Sequence, residues 1–166
     1  MIEHDELLRL VHYDPLTGIF TRKIALSRRS KVGEVLGSNS HGYLLFNVNG
    51  VKHRAHVLAW FYVTGKWPTQ GIDHKDLNKA NNVFTNLREA SQSSNGANTL
   101  MKKNNSVGFK GVTRCGEKFK SAVMVQRKRK HLGVFSTAKD AAQAYDIAAV
   151  KHFGEFAVTN KSLGYL

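Results

Sequence analysis

Asp73-His74-Lys75-Asp76-Leu77-Asn78-Lys79-Ala80-Asn81-Asn82-Val83-Phe84-Thr85-Asn86-Leu87-Arg88 is the stretch on which the reading of this chain turns. Between positions 73 and 86 it holds two Asp, one His and four Asn. Asn and Asp side chains bond their own backbone and tolerate left-handed conformations, so this composition makes a compact, self-bonded loop between two short strands. Such a loop holds polar groups rigidly, as site chemistry requires. An isolated Asp-His pair is ordinarily a turn, and an Asn-rich run ordinarily a loop. It is the joint occurrence of Asp73-His74, Asn86-Leu87-Arg88 and Asn95 that narrows the reading. Asn95 follows Ser91, a helix N-cap by type, and so falls in the first helical turn.

Working outward, residues 3–11 carry Leu7, Leu8 and Val11 at helical spacing, Asp14–Gly18 is a turn, and Ile19–Lys23 a short strand. Residues 24–33 are basic and polar, a loop. Tyr43–Val48 and Val51–Ala55 flank Asn49-Gly50, a strong hairpin signal. Residues 56–64 fit a buried helix ended by Gly65 and Trp67-Pro68. Residues 98–107 are polar and basic without apolar period, a linker. Residues 108–135 show three short strand patterns. In 118–125, Phe119, Ser121, Val123 and Val125 fall on one face, and Lys118, Lys120, Ala122 and Met124 on the other. Residues 138–152 form an Ala-rich helix capped by Thr137 with Asp140 three positions on.

The formal net charge is +13, and it is unevenly spread. Residues 1–99 hold 12 Lys/Arg against 8 Asp/Glu, whereas residues 100–166 hold 13 against 4. An excess of this size favours a polyanionic partner, nucleic acid above all, with the C-terminal part as the stronger anchor. Cys115 is the only cysteine, which excludes an internal disulfide and a cysteine-based zinc site. The acidic N-terminus (Glu3, Asp5, Glu6) is no signal peptide, and no apolar run approaches the roughly 20 residues of a membrane span. The expectation is a cytoplasmic protein, in a bacterial host cell if phage-encoded, with no membrane partner.

The pattern of Asp-His, an Asx-rich loop, Asn-Leu-Arg and a helix bearing a further Asn resembles the HNH homing endonucleases of phages and bacteria. The stretch Arg54–Pro68 is similar to their lead-in, and the likeness covers roughly residues 5–98. It implies the ββα-metal (His-Me finger) fold around one divalent metal, magnesium or alternatively manganese, and no small-molecule cofactor. By position, His74 corresponds to the general base, Asp73 and Asn95 to the metal ligands, and Asn86 to the central Asn that ties the loop and orients the histidine. The chemistry is coherent. A His with an ordinary pKa of about 6.5 takes a proton from water at neutral pH, and a hard cation on carboxylate and amide oxygens polarises a phosphate. Two departures are visible: Leu77 stands where Gly is frequent, and Val57 where a basic residue often follows the His. His56 reads either as a packed histidine at a helix start or as a phosphate or supporting residue.

Residues 108–160 resemble the Apetala/ethylene-response-factor DNA-binding domain. The matching stretches are Gly108–Val112, Lys118-Phe119, His131–Ala138, Asp140–Ala149 and Gly154–Asn160. The resemblance implies a three-stranded antiparallel sheet in the DNA major groove, backed by one helix. A ribbon of strands fits that groove, about 12 Å wide. The candidate DNA contacts are Lys110, Arg114, Lys118, Lys120, Arg127, Lys128, Arg129, Lys130 and His131, with Thr113 and Met124 replacing arginines of many members. Phosphate anchoring is therefore expected to outweigh bidentate guanine contacts.

The expected architecture is α+β: a nuclease domain over 1–98, a linker over 99–107 and a DNA-binding domain over 108–166, acting as a monomer on double-stranded DNA. A ten-residue linker reaches at most about 35 Å, which places the cut within roughly one turn of the recognised sequence. Two other functions fit the same residues. One is a non-catalytic DNA-binding regulator with a structural Asp/Asn loop. The other, weaker, is an RNA binder stacking bases on Phe109, Phe119 and Tyr145, of which Tyr145 reads better as helix core.

Overall fold

The computed structural model describes residues 2–166, which form two compact units, Met1–Glu89 and Ala90–Leu166. In the first, α1 (His4–Leu10) buries Leu7 and Leu10 and runs directly into β1 (Val11–Asp14). β1 pairs antiparallel with β2 (Ile19–Arg22), which pairs in turn with β3 (Val35–Leu36). A second sheet comprises β4 (Ser38–Ser40), β5 (Tyr43–Val48) and β6 (Val51–Arg54). β5 and β6 form the expected hairpin: Val48 faces Val51, and Asn49 and Gly50 adopt φ of +49° and +80°. Two positive φ values make the turn whose twist matches that of the strands.

The buried helix comes next as α2 (Ala55–Thr64), closed by the Gly65 amide on the Phe61 carbonyl. Then come β7 (Gly71–His74) and β8 (Leu87–Ala90), a two-stranded sheet on either side of the Asn-rich loop. The core joins Leu7, Tyr13, Phe20, Phe46, Leu58 and Phe61, with Ile72 and Leu87 anchoring β7 and β8 to it. Each such side chain contributes about 1.5–3 kcal/mol by leaving water. β3 and β4 lie just beyond the polar loop 24–33, where no sequence pattern marks a strand. Two- and three-residue strands with one buried position between them (Leu36) carry too short an alternation to be seen.

The second unit opens with α3 (Gln92–Ala97), whose N-cap Ser91 accepts from the Ser94 amide. Its sheet has the order β11-β10-β9, built from β9 (Val112–Cys115), β10 (Lys118–Val125) and β11 (Lys128–Phe135), all antiparallel. The long helix α4 (Ala138–Phe153) begins at the Thr137–Asp140 cap and buries Ala141, Ala142, Tyr145 and Ala149. These meet Val112, Phe119 and Val123 of the sheet. A bulge at Ser121/Ala122 shifts the β10–β11 register.

Residues 99–107 do not form a free tether. The buried Lys110 ammonium donates to the carbonyls of Ala97, Thr99 and Val158 at 2.8, 2.6 and 2.9 Å. Asn105 Nδ2 donates to the Phe109 carbonyl, and Asn105 Oδ1 accepts from the Val107 and Gly108 amides. Leu100, Met101 and Lys102 line a trough with Thr113, Met124 and Arg129 of the sheet. The segment thus belongs to the second unit, and α3 with it. The ten-residue reach expected from composition does not apply, because several of the segment's backbone groups are already bound.

Candidate active site

Asp73 and His74 end β7, and both are buried, at 5% and 4% exposure. The following loop closes on itself through Asn86. The Asn86 amide donates to Asp76 Oδ1 and to the Asn81 carbonyl, both at 2.9 Å, while its Oδ1 accepts from the Asp76 amide at 3.1 Å. The Lys75 amide meets the Asn86 carbonyl at 2.9 Å. Asp76 also accepts from the Asn78 amide and from Asn81 Nδ2. Burial works to raise the Asp76 pKa, but these bonds outweigh it and hold the carboxyl below its ordinary value. Leu77, at the Gly-favouring position, adopts φ +66°. The turn therefore keeps the left-handed backbone without its glycine, at a local cost of about 1–2 kcal/mol.

The side chain that meets His74 is Asn82, not selected from sequence. His74 Nε2 and Asn82 Oδ1 are 3.3 Å apart, and Asn82 Nδ2 turns away to the Ala80 carbonyl. An amide oxygen only accepts, so this contact is a hydrogen bond in the tautomer that carries its proton on Nε2 and leaves Nδ1 as the basic nitrogen. Asn82 is itself pinned: the Tyr13 hydroxyl donates to its carbonyl at 2.6 Å. Gly18 lies so close that a Cβ there would stand 2.5 Å from the Asn82 carbonyl carbon and the Val83 nitrogen. Burial pushes the His74 pKa below its ordinary value and Lys79 adds to the depression, against the opposing pull of the Asn82 bond, Asp76 and Asp73. The ring is therefore in its basic form at neutral pH.

Arg88 on β8 gives Asp73 its ion pair, Nε to Oδ2 at 3.1 Å, with both side chains nearly buried. The Arg of the Asn-Leu-Arg run thus orients the carboxylate. His56, in the first turn of α2, lies with its ring centroid 4.9 Å from that of His74, edge to face. Among the described residues its Nδ1 is buried without a hydrogen-bond partner. Burial, then His74 and Arg54, push its pKa down to about 3. Tyr43 of β5 completes the wall, 5.2 Å from His56 and 6.1 Å from His74 between ring centroids.

No group of three His, Cys, Asp or Glu stands where it could hold a metal ion among the described residues. A donor set of one oriented carboxylate with amide oxygens and water fits a hard cation such as magnesium, which keeps several waters. The structure thus joins Asp73, His74 and the Asn86-closed loop in the first unit. Asn95 lies on α3, where its amide continues the helix from the Ser91 carbonyl.

Residues 53–97 match the HNH endonuclease family. The match takes in His56, Asp73, His74, Asn82, Asn86, Arg88 and Asn95 together. An uncharacterized HNH endonuclease of Acanthamoeba polyphaga mimivirus is 37% identical over 101 residues, covering 60% of this chain and 52% of that protein. The chain therefore spans about half the length of the relative it matches. The HNH segment sits in a mixed α and β structure, and no helix among the described residues is long and apolar enough to cross a membrane.

In the second unit the strand register sorts the basic residues. Met124 faces Arg129 and Ala122 faces His131, on the side away from α4, together with Lys118 and Lys120. Val123 faces Lys130 and Val125 faces Lys128, so these two lysines start from the helix side of an edge strand. Arg114 faces Phe119 and lies over its ring. Arg127, in the β10–β11 turn at φ +63°, donates to Gln92 Oε1. Lys110 differs from the rest. It is buried, its three donors are taken by three carbonyls, and burial pulls its pKa to about 8 with Asp146 opposing. A lysine so placed holds backbone together and has no donor left for DNA.

Proposed function

We propose that the chain is a metal-dependent DNA endonuclease of the homing type. The observation that supports this best is the His74 pairing: Nε2 on an amide oxygen, basic form at neutral pH, next in sequence to a carboxylate aimed by Arg88. In this reading Nδ1 of His74 takes the proton of the attacking water. Asn82 keeps the ring in the required tautomer and, once the ring is protonated, still accepts from Nε2. Asn86 acts one step removed, as the brace that holds the loop. Asp73 and Asn95 would hold the cation, which when bound supplies charge for the phosphate and the leaving oxygen. Burial of the His74 ring limits its contact with bulk water.

Recognition falls to the sheet of the second unit, a domain of Apetala/ethylene-response-factor type entering the major groove as a monomer. Its contact set is Lys118, Lys120, Arg129 and His131 on the outward face, with Arg127, Lys128, Lys130 and Arg114 at the edges. Lys110 leaves the set. The test is plasmid cleavage with magnesium, with EDTA and with His74→Ala. The expected result is nicking by the wild type with magnesium, lost with EDTA and reduced at least about 100-fold by His74→Ala, with DNA binding kept. A wild type that binds DNA tightly and nicks no substrate, its natural target included, would leave a DNA-binding regulator as the better reading.

A further inference from the structure

Two cations sit over one aromatic ring beside the proposed base. The Arg54 guanidinium lies 4.9 Å from the centroid of the Tyr43 ring, and the Lys79 ammonium 4.8 Å. Arg54 ends β6, Lys79 belongs to the Asn-rich loop, and Tyr43 starts β5, so three separate elements bring them together. Both cations are exposed, and among the described residues neither has a hydrogen bond or an ion pair. The carboxylates of the region are engaged elsewhere, Asp73 with Arg88 and Asp76 with Asn78, Asn81 and Asn86.

Long flexible cations are not ordinarily gathered on one ring with no carboxylate to pair them. A ring quadrupole attracts each by about 0.5–1 kcal/mol at an exposed site, which holds them in place without neutralising them. An anionic backbone that meets both cations, one phosphate to each, would compensate the charge that the ring leaves in place.

We infer that Arg54, Lys79 and Tyr43 form a phosphate clamp that seats one stretch of DNA backbone against the His74 wall. The inference rests on the nuclease reading for the chemistry such a seat would serve, but the clamp is a binding site whether or not cleavage occurs. Arg54 offers a planar fork to phosphate oxygens and Lys79 a point charge, while Tyr43 keeps both over the site. Neither is a group that takes or gives a proton in the reaction.

The test measures the affinity of the full chain for a mixed-sequence duplex of about 40 base pairs, in EDTA, across a series of potassium chloride concentrations. Each phosphate that the protein no longer neutralises lowers the slope of log affinity against log salt by about 0.9, so the variant with Arg54→Gln and Lys79→Gln is expected to lose about 1.8. Arg54→Lys and Lys79→Arg, which keep the charge, are expected to retain the wild-type slope. His74→Ala should retain it too, although it loses cleavage. An unchanged slope in the Gln variant overturns the clamp, as does an equal loss in the charge-keeping variants. A single-stranded RNA of the same length bound more tightly than the duplex overturns DNA as the occupant. Failure of the nuclease reading shows separately, as absence of cleavage by the wild type in magnesium.

Discussion

His56 shows how one buried side chain couples this site to pH. Its pKa is pushed to about 3 from an ordinary 6.5, burial first and then the charges of His74 and Arg54. The unfolded chain therefore binds a proton that the folded chain refuses between those values. The stability conferred by the neutral ring is complete above about pH 6.5 and is lost as pH falls toward 3, at about 1.4 kcal/mol per pH unit for one group. His74, lowered in the same direction, adds to the slope. Urea unfolding from pH 7.5 downward should show this acid loss, and His56→Leu should remove about one proton's share of it. An acid slope identical in the variant would mean the ring titrates normally. Residue types were legible at this scale, but pairings were not. Asp73, His74 and Asn86 stand out by kind and spacing. That Asn82 rather than Asn78 or Asn81 meets His74, and that Arg88 serves Asp73, depends on how the loop folds back.

The elements of the first unit act as a frame for one loop. The β1–β2 hairpin supplies the Tyr13 hydroxyl to the Asn82 carbonyl, the Pro15 carbonyl to the Phe84 amide, and a glycine where the loop passes closest. Gly18 has φ +73° and no room for a Cβ, whereas Gly50 has φ +80° and open space around it. The pair separates conformational cost from collision. Gly50→Ala should cost about 1 kcal/mol, the penalty of a left-handed L-residue. Gly18→Ala should cost about 2–3 kcal/mol, since backbone must also move. Because the backbone that moves is that of Asn82, Gly18→Ala should also slow the proposed cleavage under conditions where both variants are fully folded. Thermal melts and nicking rates on the two proteins test this, and equal behaviour would remove the hairpin's buttressing role. The turn itself was visible in Asp14–Gly18, and so were α2, the β5–β6 hairpin and α4, each marked by periodicity and a cap. That the turn serves the site was not visible, because proximity of residues 18 and 82 leaves no trace in local pattern.

At the scale of the whole molecule, charge alone is a poor guide to which cations are free to meet the proposed DNA partner. The C-terminal half carries most of the excess, and composition treats its lysines as equivalent. The structure does not: Lys110 is spent on three carbonyls, while Arg129 and His131 share the outward face of the sheet. The same lysine explains why the stretch after Ala97 is no loose linker, since it binds two carbonyls at the start of that stretch. A sequence signal for this was lacking, because a polar, basic, aperiodic run looks alike whether it is solvated or pinned. The two kinds of cation should separate by experiment. Lys110→Met keeps the volume but leaves three carbonyls without their donor, and should destabilise the second unit by about 3 kcal/mol or more. In molecules that remain folded, its salt dependence of DNA binding should match wild type. Arg129→Gln should do the opposite, leaving the melting temperature within about a degree, as exposed substitutions do, and lowering the salt slope by about 0.9. Differential unfolding and salt titrations on the two variants decide it: a Lys110→Met protein that is fully stable and weaker only in its salt slope would return Lys110 to the DNA interface.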